Sequence, residues 1–301
     1  MTQSTSPSSK PQPESDEVTL AECRKLVKQL PLSDHPGVFF EAADWFNQFA
    51  SDENSEKRKF ALVERGAEHG DLDCKFGLGF CYSYGLAVKQ NEQQAIRLLR
   101  MAPQSCHAEA AYELGVIYLH GEGVRKDLKK AVQWLRIAAD AGLPEAQYDL
   151  AVCCQHGEGV RKNYSEAVRW YIKAAENKDT DAQINLAGLY YEGNGTKKDL
   201  KKSLHWYRQA ALNGDADSAY DVGLAYERGE GVKQDQRAAV RWYRRAASAG
   251  TIPAQVALGA AYRDGNGVRK NKSKAVLWLT IAAVQGDQTA MQDLREVTDS
   301  P

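Results

Sequence analysis

An all-α solenoid of 36-residue helix-turn-helix repeats is the fold class that the sequence predicts, on three observations. Tryptophan recurs every 36 residues without slippage, one helix of each repeat ends at a glycine, and the next begins after Asp or Asn. A constant period over such a length is typical of a stacked array, which grows by adding repeats. The tryptophans are Trp134, Trp170, Trp206, Trp242 and Trp278.

Helix A, the first helix of each repeat, runs from Ala108 to His120 in the second repeat. Its apolar and small residues recur at i, i+1, i+4, i+5 and i+8, which is one face of a helix with 3.6 residues per turn. These residues are Ala110, Ala111, Leu114, Gly115 and Tyr118. A glycine after the last turn predicts a left-handed helix terminus. Each repeat has one: Gly85, Gly121, Gly157, Gly193, Gly229 and Gly265.

Helix B begins after a residue whose side chain can accept the free N–H groups of a first turn. All six repeats have Asp or Asn there: Asn91, Asp127, Asn163, Asp199, Asp235 and Asn271. The helix then carries the tryptophan and an alanine pair, which lets neighbouring helices approach closely. Glycine ends most B helices, but Lys178 stands at that position in the third repeat, and we expect Asn177 to adopt the turn instead.

The ends of the chain differ from its middle. We expect residues 1–17 to be disordered, since they are rich in Ser, Pro, Gln and Thr and lack periodic apolar positions. Residues 18–71 form a predicted N-terminal helical cap with one degenerate repeat, whose second helix would open at Ser55. A C-terminal capping helix and tail are predicted over 288–301. The six regular repeats are 72–107, 108–143, 144–179, 180–215, 216–251 and 252–287.

Composition narrows the choice of partners and compartment. The formal net charge of −1 gives no reason to expect nucleic acid as the main partner. No run approaches 18 apolar residues, so no membrane span is predicted, and the N-terminus lacks the apolar region of a secretory signal. Cys74, Cys106 and Cys154 take positions that hold Ala, Gly or Tyr in other repeats, which favours reduced thiols. We therefore expect a cytoplasmic protein, with the monomer favoured.

The repeat consensus resembles the Sel1-like repeat, a relative of the tetratricopeptide repeat, over about residues 72–287. The residues that carry the resemblance, with their counterparts in other repeats, are Leu114, Gly115, Tyr118, Gly121, Gly123, Val124, Asp127, Ala131, Trp134, Ala138 and Ala139. The resemblance implies a right-handed α/α superhelix whose A helices line the concave side. It also implies an adaptor or scaffold that binds a protein or peptide, although fold analogy does not name the partner.

On that geometry, one set of residues should line the concave face. Aromatic rings with carboxylates or amides beside them could hold an extended peptide or a helix. The alternative is that these residues belong to the repeat consensus and only pack neighbouring helices. The set comprises Tyr112, Glu113, Val116, Leu119, Tyr148, Asp149, Val152, Gln155, Asn185, Tyr191, Tyr220 and Asp221.

A row of cations precedes the B helices and forms a second candidate surface, the basic edge. It would suit an acidic protein, an anionic lipid surface or a nucleic-acid backbone, and its alternative is a solvated loop edge. Its members are Arg125, Lys126, Arg161, Lys162, Lys197, Lys198, Lys233, Arg269 and Lys270.

Catalytic and metal-binding motifs have little support in the sequence. The phosphate-binding loop, G-x-S-x-G, H-E-x-x-H and C-x-x-C patterns are all missing. His120 and His156 occupy equivalent positions in adjacent repeats, but two ligands about 10 Å apart do not make a metal site. We therefore expect a protein that is not an enzyme and that needs no cofactor.

Overall fold

The structure is a computed structural model that describes residues 19–29, 53–101, 108–121 and 123–299. Every regular element in these ranges is an α-helix, so the predicted all-α fold class is confirmed. Two compact units divide between Lys126 and Asp127, and each is described by itself. The expected disordered tail at 1–17 and Cys106 lie outside the described residues. So do residues 36–50, over which the sequence predicts an aromatic-rich first helix of the degenerate repeat.

The described residues of the N-terminal unit form five helices, each packed against the next. Buried Cys23, Phe60, Cys74 and Leu78 join the first three of them. The helices are α1 Leu20–Gln29, α2 Glu53–Glu68, α3 Leu72–Tyr84, α4 Glu92–Leu99 and α5 Ala108–His120.

Ser55 does not open the second helix of the degenerate repeat, as the sequence predicted. Helix α2 already begins at Glu53, so Ser55 lies within its first turn, and its side chain is buried. The Asp or Asn of the regular repeats has an extended backbone that ends one loop and starts a helix. Ser55 has no such role, because the helix starts two residues earlier.

The C-terminal unit contains ten helices in which A and B helices alternate, again packed in sequence order. The B helices are α6 Leu128–Asp140, α8 Tyr164–Glu176, α10 Leu200–Leu212, α12 Gln236–Ser248 and α14 Lys272–Val284. The A helices are α7 Pro144–His156, α9 Thr180–Glu192, α11 Ala216–Arg228 and α13 Ile252–Asp264, and α15 Gln288–Asp299 follows the last repeat.

Asp and Asn cap the B helices as predicted, and they also close the preceding A helix. The Asn163 side chain accepts a hydrogen bond from the N–H of Glu166. Its own backbone N–H donates to the carbonyl of Cys154, at 2.7 Å. The same pair of bonds recurs in other repeats. One residue thus satisfies a free donor of one helix and a free acceptor of the other.

Glycine recurs twice in each A–B loop for two different reasons. The first glycine ends helix A with φ between 70° and 83° in all six repeats. The second lets the loop lie against the first turn of the preceding B helix. A Cβ on Gly159, for example, would stand 2.1 Å from the carbonyl oxygen of Leu128. Ala87 replaces this second glycine in the first repeat and still has φ of 59°.

The expectation that Asn177 replaces glycine at the end of α8 is wrong. Asn177 has φ of −82°, whereas Lys178 itself takes the left-handed conformation, with φ of 68°. The reason is the hydrogen bond from the N–H of Asp179 to the carbonyl of Ala174, which the other repeats also make. This bond requires a left-handed residue just before its donor, whatever the side chain.

The deepest large side chain of several B helices is the residue after the tryptophan. Leu135, Tyr171, Tyr243 and Leu279 are almost fully buried, whereas only Trp170 among the five repeat tryptophans is buried. The alanine pairs lie beside them in the helix contacts. The tyrosine or leucine after the tryptophan therefore fills more of the interface between helices than the tryptophan itself.

Helix α15 ends the described chain as a capping helix should. Ala290 and Val297 are buried against the last repeat, whereas Arg295 and Thr298 are exposed at the positions of the usual Gly and Tyr. Arg263 on α13 forms an ion pair with Asp293 of α15, at 2.8 Å.

Candidate functional site

The A-helix face is the set of sequence-predicted residues on α7, α9 and α11 of the C-terminal unit. The equivalent residues of α5 belong to the N-terminal unit and form a separate group. The A-helix face comprises Tyr148, Asp149, Val152, Gln155, Asn185, Tyr191, Tyr220 and Asp221, and all of these except the exposed Tyr191 are half-buried.

Glu113 is buried among the helices of the N-terminal unit. Only 7% of it is exposed, and its carboxylate accepts a hydrogen bond from the hydroxyl of Tyr84 on α3, with oxygen–oxygen distances of 3.1 and 3.3 Å. Tyr112, Val116 and Leu119 are half-buried on the same helix. A partner could reach these three residues more easily than the carboxylate of Glu113.

Tyr148 links helices α7, α8 and α9. Its ring centroid lies 5.9 Å from that of Tyr171 on α8. Burial and the charge of Asp181 raise the pKa of the Tyr148 phenol, while a hydrogen bond with the Asn185 side chain partly offsets the rise. Gln155 adds a buried Oε1 that accepts no hydrogen bond from the described residues.

The next two A helices carry the remaining members of the face. The ammonium of Lys198 lies 4.9 Å from the centroid of the Tyr191 ring, which is 40% exposed. Tyr220 packs against Tyr243, with ring centroids 5.6 Å apart. The hydroxyl of Tyr243 donates to Glu227 at 2.7 Å.

Asp221 has a strongly perturbed carboxyl group. Burial, followed by the negative charges of Asp217 and Asp215, raises its pKa from 3.8 to about 6. It lines a cleft with Tyr191, so the structure brings two sequence-predicted residues into one site. The sequence analysis missed a third member of this cleft, Tyr207 of α10. Its position one residue after Trp206, equivalent to that of Tyr171 and Tyr243, was the available signal.

Charge is segregated between the two kinds of helix in these repeats. Helices α7, α9 and α11 together carry seven Asp and Glu residues and one basic residue, Arg228. Helices α8, α10 and α12 carry nine Lys and Arg residues and two Glu residues. The near-neutral total charge of the chain concealed this pattern, which gives the A helices a negative potential.

All nine side chains of the basic edge are exposed. Two of them lie over aromatic rings, Lys162 over Tyr164 at 4.7 Å and Lys198 over Tyr191 at 4.9 Å. Such cation–π contacts engage these lysines within the chain. The remaining members are exposed to solvent, as is expected both of a binding surface and of a solvated loop edge.

The described residues give little support for a metal site or for a reactive thiol. These residues contain no group of three or more His, Cys, Asp or Glu that could hold a metal ion, and both His120 and His156 are exposed. The five described cysteines are free and buried. Burial raises the pKa of the Cys81 and Cys154 thiols to about 11, so these groups are poor nucleophiles at neutral pH.

Comparison with known families matches the Sel1 repeat to well over half of the chain. The match covers residues 72–102, 108–143, 144–179, 180–215, 216–251 and 252–287. The chain belongs to the Sel1 repeat family. The resemblance drawn from the sequence is therefore confirmed. Sel1 repeats generally mediate protein–protein interaction, and their scaffold is generally non-catalytic.

Two solved structures of Sel1 repeat proteins are similar to this chain. The Sel1 repeat protein of Oxalobacter formigenes is 37% identical, with a TM-score of 0.61, and the match covers 66% of this chain and 82% of that one. A protective antigen of uropathogenic Escherichia coli with the SLR fold is 27% identical, with a TM-score of 0.66, and the match covers 93% and 67%. No curated protein matches the chain.

Within the described parts of this Sel1 repeat protein, none of the helices has the length and apolar character that a membrane span requires.

Proposed function

We propose that this Sel1 repeat protein is a non-catalytic scaffold that binds a segment of a partner protein along the A-helix face. One observation carries the proposal. Asp149, Asn185 and Asp221 occupy the same position on three consecutive A helices, and all three are half-buried beside tyrosines. A row of this kind presents hydrogen-bonding groups at regular intervals, next to aromatic surface.

The chemistry of the row suits a polypeptide. Carboxylate and amide oxygens accept hydrogen bonds from backbone N–H groups, and an amide also donates to carbonyls. Tyr148 and Tyr220 are already held against Tyr171 and Tyr243. Rings that are ordered before binding lose little conformational entropy in a complex, so they contribute contact area at low cost.

The charge segregation favours a partner segment that is basic. The A helices α7, α9 and α11 are acidic overall, whereas the B helices of the same repeats are basic. Complementary charge steers association and suppresses acidic competitors. The association rate should therefore fall as ionic strength rises, because salt screens exposed charges.

A reducing compartment such as the cytoplasm fits this proposal. The five described cysteines are free and buried, and Cys74 and Cys154 pack as fully buried apolar residues. Cysteines of this kind are typical of proteins that do not depend on disulfides for stability.

Affinity capture with matched charge reversals tests the proposal. The test variant combines Asp149→Lys with Asp221→Lys on the A-helix face. The control combines Asp140→Lys with Glu176→Lys, which are exposed residues of B helices and give the same change in net charge. Partners captured from a native lysate by the wild-type chain should be lost with the test variant and retained by the control. Circular dichroism checks that both are folded.

The same comparison can contradict the proposal. If the folded A-helix-face variant retains every partner at the wild-type level, the face is not the binding surface. If both variants lose their partners equally, net charge and not the face controls the interaction.

A further inference from the structure

A cleft of about 150 Å³ lies between helices α9, α10 and α11 of the C-terminal unit. Leu200 and Leu204 of α10 and Leu224 of α11 form apolar walls. Asp221 and Tyr207 are among the polar groups beside them, together with Ser203, Arg228 and Glu230. A water molecule occupies about 30 Å³ in the liquid, so the cleft has room for roughly five waters or one unbranched side chain. It is too small for a drug-sized ligand.

The carboxylate of Asp221 has no hydrogen-bonding or ionic partner among the described residues, although it is half-buried. Its counterpart one repeat earlier, Asn185, is hydrogen-bonded with Tyr148. The residue that corresponds to Tyr148 in the next repeat is Ile184, which has no hydroxyl. The position that could supply a hydrogen-bonding hydroxyl to Asp221 therefore carries an apolar side chain.

A second substitution leaves space next to Tyr207. Gly188 stands where the preceding A helix has Val152. A Cβ built on Gly188 would meet only the hydroxyl of Tyr207, at 3.9 Å. The tyrosine hydroxyl thus lies over a position without a side chain. Removing a carboxylate from water without a partner costs free energy, and a ligand that supplied a donor to Asp221 would offset this cost.

The surrounding charges favour a cation in this cleft. The negative charges of Asp215 and Asp217 raise the pKa of Asp221, and that of Glu192 raises the pKa of Tyr207. One cation, Arg228, also lines the cleft, and its guanidinium lies 4.0 Å from the carboxylate of Glu230. Arg228 lowers the pKa of Tyr220 but is not among the groups that perturb Asp221.

We propose that this cleft binds the side chain of a lysine from the partner segment, with its ammonium on Asp221 and Tyr207 and its methylenes between Leu200, Leu204 and Leu224. The inference rests on the proposed function, since it specifies one residue of the segment that the A-helix face would hold. It assigns Asp221 as the charged anchor and Tyr207 as a second hydrogen-bond acceptor.

Lysine fits the cleft better than arginine. An ammonium is a compact point charge on a flexible four-carbon stem, and it needs acceptors around a single atom. A guanidinium is a planar fork with five donors, for which the Asp221 carboxylate and the Tyr207 phenol supply too few acceptors in so small a space. The second carboxylate that lines the cleft, Glu230, lies 4.0 Å from Arg228. The apolar walls match the methylenes of lysine, which pack on hydrophobic surface while the head group finds a polar partner.

The direct test uses n-butylammonium chloride, which has the head and stem of a lysine side chain, and the full-length chain labelled with ¹³C at its Asp carboxyl groups. Asp221→Asn assigns the Asp221 resonance. Saturable binding at pH 7.5 should shift this resonance, and it should lower the pKa of Asp221 by about half a unit or more. Equal concentrations of sodium chloride and tetramethylammonium chloride provide the ionic-strength and size controls.

Two variants separate the cleft from the general acidity of the A helices. Asp181→Asn removes one exposed carboxylate from α9 and should leave n-butylammonium binding unchanged. Ala225→Leu keeps Asp221 but fills part of the cleft that Ala225 lines, and it should weaken binding about tenfold. An Asp221 resonance that responds equally to all three salts would overturn the proposal. This readout needs no partner protein, so its failure is distinct from a failure of the capture experiment.

Discussion

Among single residues, Lys178 has the clearest conflict between side chain and backbone. Its φ of 68° lies in the left-handed region, and the equivalent residues Gly142, Gly214, Gly250 and Gly286 have φ between 94° and 110°. A left-handed conformation costs a residue with a Cβ about 1–2 kcal/mol. The turn keeps this geometry because the backbone hydrogen bond from Asp179 to Ala174 closes it.

Replacing Lys178 with glycine should therefore stabilise the protein. We expect Lys178→Gly to raise the free energy of unfolding by about 0.5–1 kcal/mol, because the strain it relieves exceeds the entropy that glycine adds to the unfolded chain. Urea denaturation followed by circular dichroism measures the change. Asn177→Gly is the matched control and should destabilise, since Asn177 has a right-handed backbone. Equal or lower stability of Lys178→Gly would contradict the assignment.

Asp221 should make stability depend on pH in a direction unusual for a carboxylate. Its pKa is raised to about 6 in the folded chain. Below about pH 4 the carboxyl is protonated in both the folded and the unfolded chain, so it has no effect. Between about pH 4 and 6 the unfolded chain loses this proton more readily, and above pH 6 the folded state bears the full cost of the charge.

The neutral variant Asp221→Asn should therefore be more stable than wild type at pH 7.5, by about 1–2 kcal/mol after allowance for partial solvent exposure. The difference should shrink toward zero as the pH is lowered to 4. Thermal melts across this pH range measure it. A gain that is constant with pH, or a loss at pH 7.5, would show that the Asp221 carboxylate is not destabilised by burial.

Between elements, the contact of each B helix with its A helices depends on the residue after the tryptophan. Tyr243 is 2% exposed, packs on Tyr220 and donates to Glu227. A Cβ on Gly223 would lie 2.4 Å from a ring carbon of Tyr243, so the helices approach each other closely at this glycine. Trp242 is only half-buried and has Arg245 over its ring, at 5.9 Å.

Truncation of Tyr243 should therefore cost more than truncation of its tryptophan neighbour. We expect Tyr243→Ala to lower the free energy of unfolding by about 3–5 kcal/mol, because it leaves a cavity between α11 and α12. Trp242→Ala should cost less. Urea midpoints of both variants decide the order, since repeat arrays need not unfold in a single step. The reverse order would show that Trp242 contributes more to the packing than Tyr243.

Across the molecule, periodicity was enough to predict the helices but not the details of the contacts between them. The Gly and Asp or Asn positions fixed the ends of the regular helices, because their backbone and capping requirements are local. The prediction for Ser55 failed because the helix of this degenerate repeat begins two residues earlier, at Glu53. The position of Tyr207 after Trp206 was a signal for its packing role, but the cleft beside it could not be predicted, because the cleft depends on how α9, α10 and α11 pack together.

The A-helix face shows the same limit. Its residues lie on successive A helices, and their role in binding stays a prediction, but their separate contacts depend on neighbouring repeats. Glu113 is held by Tyr84 and Asn185 by Tyr148, whereas Asp221 has neither partner among the described residues. The three positions are equivalent in the repeat pattern. Only the neighbours supplied by the adjacent repeat distinguish a packing residue from a candidate binding residue.

The central claim, that a partner segment lies along the A-helix face, is tested most directly by photo-crosslinking. A photoreactive amino acid is placed at Val152 or Leu224 on the A helices. The control positions are Ile137 and Leu212, which lie on B helices and are each 50% exposed. We expect crosslinked partner from the A-helix positions and little from the B-helix positions. Equal crosslinking from both sets, or crosslinking only from the B helices, would contradict the assignment of the A-helix face as the binding surface.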